Sequence, residues 1–164
     1  MTTKGILRDY SDNGTDFDMK ILTHSPEETI NTAIKLGRLL KPGDMIAYKG
    51  GLGAGKTTFT RGLAIGMGLE DNVSSPTFAL VNEYCGENIT LYHFDMYRIE
   101  SEGDLESTGF YDYPFEDNVA AVEWSENIDK FLPKHTIYVT INPVGESDRE
   151  IIIEDGGRFA AAWN

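Results

Sequence analysis

The sequence predicts an α/β fold, a mixed parallel and antiparallel sheet flanked by helices. Three observations predict it. Strand-like runs alternate with helical stretches, the pattern of a parallel core. Two pairs of strand-like runs are joined by short turns, so antiparallel strands must join that core. A glycine-rich segment, Gly50-Gly51-Leu52-Gly53-Ala54-Gly55-Lys56-Thr57, lies between a strand-like run and a helical one.

Residues 1–18 are polar and rich in Asp, Ser, Thr and Gly, and read as a flexible leader. Met19-Lys20-Ile21-Leu22 reads as a short edge strand. Ser25-Pro26-Glu27-Glu28 opens a helix, with Ser25 as the cap, Pro26 at the first position and Glu28 completing a capping box. Ile30, Ala33, Ile34, Gly37 and Leu40 give that helix its apolar face, and Lys41-Pro42-Gly43-Asp44 ends it. Met45 to Lys49 is the next strand. The helix after the glycine-rich loop runs from Thr57 to Met67, buries Phe59, Leu63 and Met67, and stops at Gly68. Phe78 to Tyr84 and Ile89 to Phe94 form one hairpin, and a short helix runs from Ser101 to about Thr108. Val119-Ala120-Ala121-Val122 is an apolar run typical of a fully buried strand. Thr136 to Asn142 and Arg149 to Glu154 form a second hairpin. These elements make a single domain over residues 19–158, followed by a short tail at 159–164.

A chain of 164 residues buries a core of its own. Its 14 Lys and Arg against 27 Asp and Glu give a formal charge of −13, which disfavours direct binding to nucleic-acid phosphates. An acidic surface can still dock on a basic protein. The single cysteine, Cys85, makes no intrachain disulfide, in keeping with a reducing cytosol. No apolar run has the roughly 18 residues that span a membrane. The expected setting is cytoplasmic.

The glycine-rich segment fits the phosphate-loop pattern G-x-x-x-x-G-K-[ST]. Strand before and helix after distinguish it from a glycine turn that merely caps a helix. The expected architecture is therefore the P-loop NTPase fold. Backbone N–H groups of such a loop cradle an anion at a helix N-terminus. The contacts expected for a nucleoside triphosphate are Gly51, Leu52, Gly53, Ala54, Gly55, Lys56, Thr57 and Thr58. Lys56 would reach the β- and γ-phosphates, and the Thr57 hydroxyl would sit on Mg²⁺. A second metal anchor comes from an acidic residue at the end of an apolar strand, and Glu123 fits. Asp95 ends another strand; it would orient water or the Mg²⁺ shell, or else cap its turn or pair with Arg98. Thr77, in Ser74-Ser75-Pro76-Thr77, is either a γ-phosphate-sensing residue or the first residue of a strand. Trp124 either stacks near the nucleotide or fills core beside the strand end. His93, between Tyr92 and Phe94, reads as a sheet-packed histidine rather than a metal ligand, since no Cys/His cluster accompanies it.

Four ordered segments form a recognisable set: residues 51–64 (GLGAGKTTFTRGLA), 75–84 (SPTFALVNEY), 92–98 (YHFDMYR) and 122–126 (VEWSE). Together they resemble the TsaE family, formerly YjeE, over roughly residues 20 to 154. The resemblance implies an ATPase that binds and hydrolyses ATP with Mg²⁺. It also implies association with the TsaB and TsaD proteins, which transfer threonylcarbamoyl to adenosine-37 of tRNA (t6A37). By position, Thr57 and Glu123 match the family's Mg²⁺ residues, Asp95 its acidic residue needed for activity, and Thr77 its switch-like threonine. Arg149 resembles a late nucleotide-contacting arginine, and Glu28 and Thr29 the first-helix region near the base. Gly51 replaces an aspartate that many members carry. Two other readings of the residues remain: a small-molecule P-loop kinase, for which the chain is poor in arginines over the phosphate, and a nucleotide-sensing module that hydrolyses nothing.

Overall fold

The computed structural model describes residues 19–51, 55–69 and 81–163. The described elements are β1 (Met19–Thr23), α1 (Pro26–Leu39), β2 (Met45–Lys49), α2 (Lys56–Gly66), β3 (Val81–Cys85), β4 (Thr90–Asp95), α3 (Glu102–Ser107), β5 (Val119–Glu123), β6 (Ile137–Pro143) and β7 (Arg149–Glu154). The strands form one sheet in the order β1-β7-β6-β2-β5-β4-β3. Its centre, β6-β2-β5-β4, is parallel. Both expected hairpins are present, β3 with β4 and β6 with β7, and β1 closes one edge antiparallel to β7. The leader at 1–18 lies outside the described residues.

Strand alternation divides the core. Ile46, Tyr48, Leu91, Val119 and Ala121 face α1 and α2, with Ala33, Phe59 and Leu63. Met45, Ala47, Tyr92, Phe94, Ala120 and Val122 face the other way, with Leu105 and Phe110. All five residues of β5 are buried, as its apolar run predicts.

At α1, the Ser25 hydroxyl accepts from the Glu28 N–H at 3.1 Å. The Glu28 carboxylate accepts from the N–H of His24 at 2.6 Å, one residue before the position a capping box predicts. The buried face of α1 is also rotated from the expected one. Thr29, Thr32, Ala33, Leu36 and Gly37 are buried, whereas Ile30, Ile34 and Leu40 are half-buried. The cause is the close approach of α2. A Cβ at Gly62 would stand 2.4 Å from the Ala33 Cβ, and one at Gly66 would stand 2.3 Å from the Ile34 carbonyl. Small residues line such a contact, so larger ones flank it.

Residues 159–163 do not form a free tail. Phe159 and Trp163 are buried in the core beneath α1. Asp155 fixes the turn by accepting from the N–H groups of Gly157 and Phe159 at 2.8 and 2.9 Å. Arg158 clamps the buried Asp44, donating from its two terminal nitrogens, Nη1 and Nη2, to the two carboxylate oxygens. No helix of the described residues is long and apolar enough to cross a membrane.

Candidate active site

Lys56, Glu123 and Asp95 lie at the carboxyl ends of β2, β5 and β4, the edge where open α/β sheets place their ligands. There β2 passes into Gly50 and, after residues 52–54, into Gly55 and α2. Gly50 and Gly55 have φ of 126° and 103°, conformations that strain any other residue. Gly55 caps α2 without a side chain, and the first turn of α2 carries no acidic residue. Its N–H groups and partial positive charge are left for an anion. Leu52, Gly53 and Ala54 lie outside the described residues, as does Thr77.

Lys56 is buried. Its Nζ donates to the Gly50 carbonyl at 3.3 Å and lies 4.3 Å above the Trp124 ring centroid. Thr57 and Thr58 follow, half-buried, on the first turn of α2. Tyr48 ties this turn to the sheet: its hydroxyl meets that of Thr60 at 2.7 Å, and Thr60 donates to the Lys56 carbonyl at 2.9 Å. Burial pushes the pKa of the Tyr48 hydroxyl far above the ordinary phenol range. The Thr60 hydrogen bond partly opposes this, and the negative charge of Glu123 adds to it.

Glu123 ends β5 in register with Asp95 at the end of β4. Glu123 is buried, and Asp95 is half-buried. The Asp95 carboxylate accepts from the Tyr97 N–H at 2.9 Å, so it does cap its turn. This occupies one carboxylate oxygen. Trp124 has φ of 57°, the one non-glycine residue among those described in the left-handed region. It neither fills the core nor lies free: it is half-buried, under Lys56 and edge-on to Tyr97 at 5.1 Å. The Ser125 hydroxyl, donating to the Tyr48 carbonyl at 3.1 Å, anchors the turn behind it.

A cleft of about 90 Å³ opens on the other side of the same helical turn. Thr29, Gly55, Thr58 and Arg149 line it together with Pro26, Glu146 and Ser147. Thr29 and Arg149, distant in sequence, are thus brought to the start of α2. The Thr29 hydroxyl is held at 2.7 Å by that of Thr23, and Arg149 donates to the carbonyls of Gly145, Glu146 and Asp148. Glu28 is not among the lining residues; its carboxylate serves the backbone at His24.

Sequence reasoning missed Glu146 and Ser147, which the β6–β7 turn carries to the cleft. It also placed His93 in the sheet without seeing that its Nε2 lies 3.2 Å from Glu123 Oε2. No local signal reports this contact, which depends on how β4 registers against β5.

Comparison with known proteins gives the family and the fold. Residues 23–151 match the family model described as “Threonylcarbamoyl adenosine biosynthesis protein TsaE”. The chain is 35% identical over 135 residues to the tRNA threonylcarbamoyladenosine biosynthesis protein TsaE of Treponema pallidum, covering 82% of this chain and 99% of that one. It is 41% identical over 133 residues to the Bacillus subtilis protein of the same name, covering 81% and 83% of the two chains. The crystal structure of Bacillus subtilis YdiB superposes with a TM-score of 0.68 at 33% identity, covering 89% of this chain and 90% of that one. The fold is that of the α/β P-loop NTPases.

Proposed function

The chain belongs to the TsaE family of tRNA threonylcarbamoyladenosine biosynthesis, and from that premise we propose that it is a Mg²⁺-dependent ATPase supporting turnover of the t6A37 transferase through protein partners. One observation carries the reading. Lys56 lies over Trp124, the residue next to Glu123, and Glu123 is in register with Asp95. A buried cation on the first turn of a helix thus shares the carboxyl edge of the sheet with two carboxylates from neighbouring strand ends.

Lys56 would bind the β- and γ-phosphates once it leaves the Gly50 carbonyl. The Thr57 hydroxyl and the Glu123 carboxylate are hard oxygen donors, the kind Mg²⁺ takes beside phosphate, so the residues suit that ion and would hold it. Bound there, Mg²⁺ would neutralise charge building on the transferred phosphoryl group. Asp95 keeps one carboxylate oxygen for orienting water. Thr29, Thr58 and Arg149 line the cleft offered to the rest of the nucleotide. The proposed partners are the TsaB and TsaD proteins. With a formal charge of −13, this chain is better suited to protein contacts than to gripping tRNA.

Mg-ATP turnover of the wild type, Lys56→Ala and Glu123→Ala tests the reading. Each substitution is expected to lower turnover by about 10²-fold or more. Unchanged rates in both would overturn the assignment. ATP-dependent capture of TsaB and TsaD by the wild type, weakened in Lys56→Ala, tests the partner-coupled part.

A further inference from the structure

We infer that His93 is a positioning residue that holds the Glu123 carboxylate by donating a hydrogen bond from Nε2, and so presents Glu123 to the ligand at the mouth of the site. The inference deepens the proposed function and rests on Glu123 acting there.

The argument begins with burial. His93 is fully buried, and the Glu123 side chain is only 8% exposed. A buried carboxylate without a donor is costly, as is a buried imidazole without a partner. Among the described residues, neither ring nitrogen of His93 has a well-aligned hydrogen bond. One polar atom does come close: Glu123 Oε2 lies 3.2 Å from Nε2. A turn of the ring or of the carboxylate would align this 3.2 Å approach into a hydrogen bond.

The sheet explains why these two meet. β4 and β5 are parallel, with His93 opposite Ala121 and Asp95 opposite Glu123. The methyl group of Ala121 leaves space beside the imidazole. The ring can therefore lie along the strand and reach the next residue on the same face, which is Glu123. A bulkier residue at 121 would fill this path. With one carboxylate oxygen held from below, the other is directed to the ligand. Such supporting hydrogen bonds typically change metal affinity by about 10–100-fold.

Two experiments test this. Nitrogen-15 correlation spectra of the imidazole in nucleotide-free, magnesium-free protein read the hydrogen bond directly. The expected result is a proton on Nε2 whose signal shifts in Glu123→Gln. A proton on Nδ1, or no response to Glu123→Gln, overturns the inference whether or not the protein hydrolyses ATP. The second experiment compares the Mg²⁺ concentration for half-maximal ATP turnover in His93→Leu and His93→Gln. Loss of the donor in His93→Leu should raise it about tenfold or more, with little change in KM for ATP. The amide of His93→Gln should restore much of the loss. Equal Mg²⁺ requirements in wild type and His93→Leu overturn the inference. Should His93→Leu fail to fold, the Gln variant and the spectra still decide it. A wild type that hydrolyses no ATP with partners present sinks the proposed function, while the spectra judge His93 separately.

Discussion

On the α3 side of the sheet, Phe94 packs against Phe110 and Tyr113 with ring centroids 5.2 and 5.1 Å apart, and Phe110 meets Phe115 at 4.9 Å. On the α2 side, the same strand turns His93 toward Glu123, while Lys56, Thr60 and Ser125 are buried around the end of β2. Both faces bury apolar side chains, and the α3 side adds a cluster of aromatic rings. The α2 side, at the end of β2, also buries charged and hydroxyl groups whose desolvation must be offset by hydrogen bonds. The difference separates packing alone from packing interrupted by a polar cluster. Apolar contact on both faces supplies stability, and the α2 side gives up some of it to bury a carboxylate and a lysine beside a helix N-terminus.

The sharpest way to break this division is Phe94→Ala. Deleting that fully packed ring should cost about 3–5 kcal/mol, because the surrounding rings cannot collapse into the cavity. In a chain of this size the unfolding midpoint should fall by about 10 °C. Turnover per folded molecule should stay near wild type at low temperature. Glu123→Gln, a change of nearly constant volume on the other face, should do the reverse, with a much smaller shift in midpoint and a large loss of Mg-ATP turnover. Denaturant unfolding and hydrolysis assays on the two variants check both. Should Glu123→Gln prove the less stable of the two, the polar face would be a structural element in its own right.

The two faces were unequally legible in the sequence, for physical reasons. The hairpins, the buried β5 run and the Ser25 cap follow from local rules: short turns, apolar runs and capping chemistry act within a few residues. Lys56, Glu123 and Asp95 stand out as candidates because each ends or begins an element, where ligand groups collect. The contact of His93 with Glu123 depends on how β4 registers against β5, and no local signal reports that. The face of α1 was misjudged because hydrophobicity favoured Ile30 and Ile34, while the fold chose the residues small enough to admit α2. Phe159 and Trp163 lay in a segment with no strand or helix pattern. Their burial follows from the Asp155 turn and the Arg158 clamp on Asp44, both of which need the folded sheet.

Gly66→Ala would couple the two kinds of effect, at smaller size. The added Cβ would lie 2.3 Å from the Ile34 carbonyl and 2.9 Å from the Gly37 Cα, both backbone atoms that cannot swing aside. The helices must separate, at a cost of about 1–3 kcal/mol. Because α2 carries Lys56 at its far end, turnover should fall as well, although residue 66 touches no ligand. A loss of stability with unchanged turnover would show that the loop end of α2 is held by Tyr48 and Thr60 alone, independently of α1.

The smallest effect expected is that of Gly51→Asp, the residue the resemblance leads one to expect. Gly51 is exposed, its φ is outside the left-handed region, and among the described residues an added Cβ would meet nothing within 4 Å. No strain and no clash oppose the substitution, so stability should change by no more than about 0.5 kcal/mol. The same limit on the barrier corresponds to about a twofold change in turnover. With no packed group among the described residues in its way, a larger consequence would arise through a partner or through the loop itself. The comparison to make is therefore ATP hydrolysis by wild type and Gly51→Asp alone and then with TsaB and TsaD. A difference confined to the second condition would assign position 51 to partner contact, whereas a large change in the protein alone would mean that glycine at this position sets the stiffness of the loop itself.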